Sequence, residues 1–268
     1  MKKCIFIFEI ISLFSLGATN TLRISDMRSG AMGGNGVTLS YLFNPAILEF
    51  STGSVLSIDY FNRYAIKELG TIQGGIQYPN SYLSTGVQIV SFGYEQYREN
   101  LARVAFSKRL NAQWALGISF QYAWIQSELY EESPSRLSID IGMVYSPVEN
   151  LLIAVSMRDL PSIRLSVKDR SINNFQLYNV DFGIHWYVLN NLLITGYVGI
   201  EENIQVQGGF GMEYYVWDYF ALRGGIQAHP FLPSFGAGFR WQRFGVDVMA
   251  IWHTTLGISS GIGLSYSF

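Results

Sequence analysis

The sequence predicts an all-β fold: a transmembrane, antiparallel, up-and-down β-barrel of about fourteen strands. Three observations predict it. Segments of about ten residues alternate large apolar residues with small or polar ones along most of the chain. The polar face of that alternation carries glycine, serine and charge. The connections between segments alternate in length, tight turns with longer loops.

Composition sets the outer bounds. A chain of 268 residues has room for one large β-domain or two small ones. Charged residues make up only 14% and the net charge is -2. That leaves no electrostatic footprint for nucleic acid. Aromatic residues reach 15%, with 27 glycines. Beyond the N-terminus no run of about 20 apolar residues occurs, which argues against a helical membrane protein.

Residues 1–18 read as a Sec signal peptide. Lys2 and Lys3 supply the positive region, residues 4–16 the apolar run, and Gly17 and Ala18 the small residues of a cleavage site. Glu9 is an unusual interruption of the run. No lipobox precedes Cys4, so lipid attachment there is not expected. Cleavage removes the sole cysteine, and with it disulfide and thiolate chemistry.

The strands follow in order. Fourteen alternating segments start near residues 54, 70, 82, 100, 112, 136, 150, 176, 191, 205, 218, 233, 242 and 259. The third, seventh and ninth alternate less cleanly. In the last, Ile262, Leu264, Tyr266 and Phe268 oppose Gly261, Gly263, Ser265 and Ser267. Phe235, Ala237, Phe239 and Trp241 oppose Gly236, Gly238 and Arg240, and Tyr178, Val180, Phe182, Ile184 and Trp186 oppose Asn179, Asp181, Gly183 and His185. Period two over so many segments means strands with one apolar and one polar face.

A soluble sandwich shares that pattern, so the facing of the strands must be argued. The polar face carries Asp59, Arg103, Asp140, Asp181, Glu213, Arg223, Arg240 and Asp247. A charge on the lipid face costs roughly 2–4 kcal/mol at mid-bilayer, so a membrane barrel turns these inward. A cylinder of about fourteen strands is also too wide for apolar side chains to fill from within. The connections agree: tight turns fall at Pro79-Asn80, Leu110-Asn111, Pro147-Val148-Glu149, Leu189-Asn190, Trp217-Asp218 and Gln242-Arg243. Longer loops mostly follow the odd strands, notably residues 127–136 and 159–174, while that near residues 201–203 is short for its rim. Short periplasmic turns against longer external loops place both barrel termini in the periplasm. The terminal Tyr266-Ser267-Phe268 resembles the C-terminal aromatic signature of outer-membrane barrels.

Residues 25–50 do not alternate. Arg28-Ser29-Gly30-Ala31-Met32-Gly33-Gly34-Asn35-Gly36-Val37 is glycine-rich, and Asn44-Pro45-Ala46 is turn-like. No strand precedes this run and no Gly-Lys-Ser/Thr follows, so it is not a phosphate-cradling loop. The chain here resembles the FadL-like barrels, and more closely the PorV/PorQ group of outer-membrane proteins. Arg28, Met32, Gly33, Gly34, Gly36, Val37, Asn44, Pro45 and Ala46 match that group's opening motifs. Further echoes are Phe106-Ser107-Lys108-Arg109-Leu110, Leu116-Gly117-Ile118-Ser119, Asp140-Ile141-Gly142, Leu222-Arg223-Gly224-Gly225 and Leu256-Gly257-Ile258. The stretch from Val37 to Asn44 and the whole chain are shorter than the group's pattern. The resemblance implies a hatch of residues 19–52 in the lumen of a barrel formed by residues 53–268. It implies one of two roles: a cargo docking or shuttling platform of type IX protein secretion, or a FadL-like passive channel for small hydrophobic compounds. Expected partners are outer-membrane lipid with secreted cargo or secretion-system proteins, or a hydrophobic small molecule.

Chemistry is sparse. His185, His229 and His253 show no metal-ligand spacing, and no serine stands out beside a histidine base. No enzyme, metal or cofactor is expected. The inward charges on neighbouring strands offer a network: Arg223 and Arg240 with Glu213 and Asp247, and Asp140 and Asp181 elsewhere on the wall. Such a ladder brings the wall together and anchors the hatch, the favoured reading, or else sets a channel's selectivity.

Overall fold

A computed structural model describes residues 22, 25–128, 133–165, 178–201 and 206–268; the expected signal peptide lies outside them. The strands are β1 (Val55–Asn62), β2 (Gly70–Tyr78), β3 (Ser84–Tyr94), β4 (Tyr97–Arg109), β5 (Trp114–Ser127), β6 (Ser135–Val148) and β7 (Leu151–Arg158). A short β8 (Ser162–Arg164) precedes β9 (Asn179–Leu189), β10 (Leu192–Glu201), β11 (Val206–Trp217) and β12 (Phe220–Ala228). The chain ends with β13 (Leu232–Trp241), β14 (Phe244–His253) and β15 (Gly257–Ser267).

All but β8 form one closed antiparallel cylinder of 14 strands. The first and last strands pair in register from Val55↔Ser267 to Asn62↔Ser260, and the remaining closure is β5 on β6. Closure removes the free strand edges that an open sheet would present to lipid. The alternation read from the sequence locates the strands well: the start at Gly70 coincides, and Tyr97 and Asn179 depart by three residues from 100 and 176.

Two departures have local causes. The β3–β4 connection, expected to be longer, is the two-residue turn Glu95-Gln96, because Tyr94 pairs with Tyr97 and Gly93 adopts φ 111°. The unclean seventh segment is split. β6 pairs with β7 up to Ile141↔Met157 and with β8 from Ser138↔Ser162. Between them residues 158–161 bulge opposite Ile139 and Asp140, with Asp159 at φ 58° and its side chain inward.

The two faces separate as lipid and lumen demand. Ile58, Ile72, Ile89, Phe120, Phe182, Val198, Phe210, Phe235, Val248 and Ile262 are exposed on the outside, while Asp59, Gln73, Gln88, Arg103, Gln121, Asp140, Asp181, Thr195, Glu213 and Arg223 are buried within. At the rim bearing the chain ends aromatic rings cluster: Trp114 stacks on Tyr145 at 4.3 Å, Trp217 lies 5.7 Å from Tyr219 and Phe244 5.0 Å from Tyr266. Such rings sit at a membrane–water boundary, where one edge is apolar and the other wet.

Candidate functional site

The lumen is filled by the N-terminal segment. Helix α1 (Met27–Ala31) is capped by Asp26, whose carboxylate accepts from the Ser29 amide at 2.9 Å and from the Ser29 hydroxyl at 2.9 Å. Gly33 and Gly34 follow at φ 71° and 78°, a left-handed pair that ends the helix and turns the chain. Helix α2 (Gly36–Leu39) comes next, then a 3₁₀ helix, Pro45–Phe50. Asn44 caps the latter by accepting from the Ala46 amide at 3.1 Å, and Pro45 opens it where no amide is needed.

Ascending along this segment, the wall strands are met in descending order. Met27 lies on Gly261 and Gly263 of β15 and packs with Phe61 of β1 across the seam. Gly30 lies against Met249 of β14, Ala31 on Gly236 of β13, and Met32 and Gly33 on Gly225 of β12 and Gly211 and Gly209 of β11. Thr38 meets Thr195 of β10 and Gly183 of β9, and the Phe43 carbonyl accepts from Ser156 of β7 at 2.6 Å. Asn44 and Pro45 rest on Gly142 of β6, Ala46 on Gly117 of β5, and Leu48 on Gly86 of β3.

The glycines of the polar face are therefore a circumferential groove cut for a backbone. At Gly142 a methyl would collide with the Asn44 carboxamide and the Pro45 ring; at Gly117 it would collide with the Pro45–Ala46 peptide. Met32, Asn35, Asn44, Ala46 and Leu48 are wholly buried, so the segment is packed tightly into the barrel at this level. Burial pushes the Tyr41 phenol well above its ordinary range, keeping it a neutral donor to the Val87 carbonyl at 3.1 Å.

Two separate groups hold most of the inward charge, with Asp59 apart from both, accepting from Gln73 at 2.8 Å. On β11–β14, Glu213 accepts from Arg28 at 2.5 and 3.0 Å and from Arg223 at 2.6 Å. Arg223 also donates to Asp247 at 2.6 Å, which takes Arg240 at 2.8 Å. Across the lumen, Asp140 accepts from Ser119 and Gln121 at 2.9 Å and from the Asp159 amide at 2.8 Å, with Arg103 at 3.3 Å. Asp181 beside it holds Arg158 at 2.6 Å. The structure thus unites Arg28, Glu213, Arg223, Arg240 and Asp247, and places Asp140 and Asp181 elsewhere.

The remaining residues singled out from sequence stack along the groove: Gly34 beside the Tyr197 hydroxyl, and Gly36 beneath the Phe43 ring. Sequence reasoning missed Arg103, Gln121, Arg158 and Asp159 as partners of the inward acids; inward alternation was the available signal for the first three, while Asp159 sits in the bulge, where none existed. It also missed Leu22, buried against Val90, Phe92, Leu101 and Ala123 toward the far rim. Arg63 lies over the rings of Phe61 and Phe92 there, at 5.5 and 5.0 Å. At the rim of the chain ends a cleft of about 650 Å³ opens among Glu49, Ser51, Asn80, Ser84, Arg109 and Phe268.

His253 Nδ1 accepts from the amides of Thr255 and Leu256 at 3.2 and 3.1 Å, shaping a turn, and His185 meets Tyr187 edge-on at 5.1 Å. Among the described residues no cluster of His, Cys, Asp and Glu could hold a metal.

No family model and no curated protein matches the chain. Solved structures do. The Pseudomonas putida toluene transporter TodX superposes with a TM-score of 0.66 at 10% identity, covering 92% of this chain and 99% of that one. A Pseudomonas aeruginosa FadL homologue gives 0.61 at 10% identity, covering 91% and 98%. The Acinetobacter baumannii outer membrane protein Omp33 gives 0.53 at 9%, covering 81% and 98%. Identity this low speaks for the fold alone. The chain shares the fold of TodX and of the FadL homologue.

Proposed function

We propose that the protein is a passive outer-membrane channel for small hydrophobic compounds, plugged by its N-terminal segment and without catalytic activity. The observation that carries this reading is the fold it shares with a toluene transporter and a FadL homologue. The filled lumen supports it, since a cylinder this wide is otherwise open to water. In this reading residues 1–18 direct Sec export and the rim of the chain ends faces the periplasm, its connections being the shorter ones. The experiment is uptake of monoaromatic hydrocarbons into liposomes carrying the purified protein, with and without residues 25–50. Flux above that of empty liposomes, altered by the deletion, is expected; no flux in any class of compound would sink the reading.

A second reading, a PorV/PorQ-like docking platform for type IX secretion, is favoured by the match of Arg28, Met32–Gly34, Gly36, Val37 and Asn44–Ala46 to that group's motifs. Affinity capture from solubilised outer membranes tests it. Recovery of secretion components supports it, and recovery of the barrel alone argues against it.

A further inference from the structure

We propose that the lumen holds a binding site for a small monovalent carboxylate with an aromatic body, formed by Arg28, Tyr187 and Tyr215 on the side of the segment nearer the chain ends.

The first support is a charge surplus. Arg28, Glu213, Arg223, Asp247 and Arg240 form one chain of ion pairs that starts and ends on arginine. Three guanidiniums therefore face two carboxylates, which leaves one positive charge over. The inward residues beside Glu213 on β9–β11, namely His185, Tyr187, Leu193 and Tyr215, bring no carboxylate to balance it. Partly buried charges are screened less than exposed ones, so the surplus is felt. One bound monoanion cancels it, where a dianion overshoots.

Free donors place the surplus at Arg28. Its Nε and Nη2 donate to Glu213 at 3.0 and 2.5 Å, which occupies one edge of the guanidinium fork. Among the described residues nothing accepts from the other edge, and the side chain is 28% exposed. At the opposite end of the chain, Arg240 spends Nη1 on the Phe239 carbonyl and Nη2 on Asp247, and lies 43% exposed to water. Tyr187 and Tyr215 are half-buried and within electrostatic reach of Arg28 and of each other. Neither phenol has a hydrogen-bond partner among the described residues. The segment crosses β11 at Gly211 and β9 at Gly183, and these side chains follow toward Trp217 and Leu189. The site therefore faces the rim of the chain ends with the segment in place.

A carboxylate matches this set. It is planar, takes a guanidinium edge in two parallel bonds, and keeps lone pairs for the phenols. Chloride has the charge without the plane. The tyrosine rings, with the His185 imidazole edge-on to Tyr187, give an aromatic body its walls.

The test is calorimetric titration of benzoate into the full-length protein in micelles. Benzamide serves as the neutral isostere, and chloride and inorganic phosphate as competitors. Saturable benzoate binding is expected. Arg28→Gln should weaken it by about tenfold, the worth of one charge-assisted hydrogen bond, and Tyr215→Phe by about fivefold. A double variant, Tyr187→Phe with Tyr215→Phe, leaves every ion pair in place, so its loss of benzoate separates the site from a folding defect. The proposal is overturned by any of four results: no saturable benzoate binding, benzamide binding as tightly, displacement by an equal concentration of chloride or phosphate, or unchanged affinity in either Arg28→Gln or the double variant. None of these readouts depends on what the barrel carries.

Discussion

Gly142→Ala tests the seating of the segment at its tightest point. Gly142 lies on β6 directly beneath Asn44, and its missing Cβ is the space that the Asn44 carboxamide occupies. An added methyl meets that carboxamide on one side and the Pro45 ring on the other, so the Asn44–Pro45 turn must lift. Overpacking costs about 1–3 kcal/mol. Lifting the turn also loses an Asn44 bond to the wall, to the Val155 carbonyl, for about 1 kcal/mol more. The sum is about 2–4 kcal/mol, borne by the seating of the segment rather than by the wall, whose Gly117↔Gly142↔Ser156 ladder uses backbone alone. Two assays read it together. Denaturant unfolding in micelles, followed by tryptophan fluorescence, should show the loss, and planar-bilayer recording should show frequent openings absent from the parent. Gly224→Ala is the control, since nothing lies within 4 Å of its Cβ position. Equal stability and equal conductance of the two variants would refute the groove.

Other perturbations probe other links. Val248→Lys places a charge on the exposed outer face between Ala237 and Ile262; it should cost about 2–4 kcal/mol of bilayer insertion, read by folding titrations into vesicles. Glu213→Ala leaves Arg28 without its carboxylate and Arg223 with Asp247 alone. A loss of about 3–5 kcal/mol is expected, and Glu213→Asp should recover part of it. Tyr41 is held neutral by burial, so its contribution is complete below pH about 10 and declines above it, where the unfolded chain gains by ionising the phenol. The parent should therefore lose its stability advantage over Tyr41→Phe as pH rises through that region, by chemical denaturation at a series of pH values.

The wall was legible in the sequence because a strand announces its faces locally. The alternation from Tyr178 to Trp186 suffices to turn Phe182 and Ile184 outward and Asp181 and Gly183 inward, whatever the neighbouring strand does. Turn chemistry likewise marks its own place: Asn111 accepts from the amides of Gln113 and Trp114 and closes the β4–β5 connection. The β7–β8 break was illegible, because its bulge depends on Asp159 finding Gln121, Ser138 and Asp140 on other strands. The path of the interior segment was illegible for the same reason. Why Gly117, Gly142, Gly183, Gly211 and Gly225 are glycines cannot be read from their own strands, where each is simply a small inward residue. Their common cause is a chain passing over all of them, at sequence separations set by the barrel and not by any local period.

That groove has a mechanical consequence. When a ligand or a mutation empties part of a globular core, neighbouring side chains relax into the void and shrink it. A hydrogen-bonded hoop has no such freedom, because its circumference is fixed by strand number and stagger. Nor do the glycines directly beneath the segment have side chains that could reach into the space it leaves. Whatever displaces a stretch of the segment therefore leaves a hole of about the size of the stretch displaced. On the channel reading, the aperture would then be metered by how much chain moves.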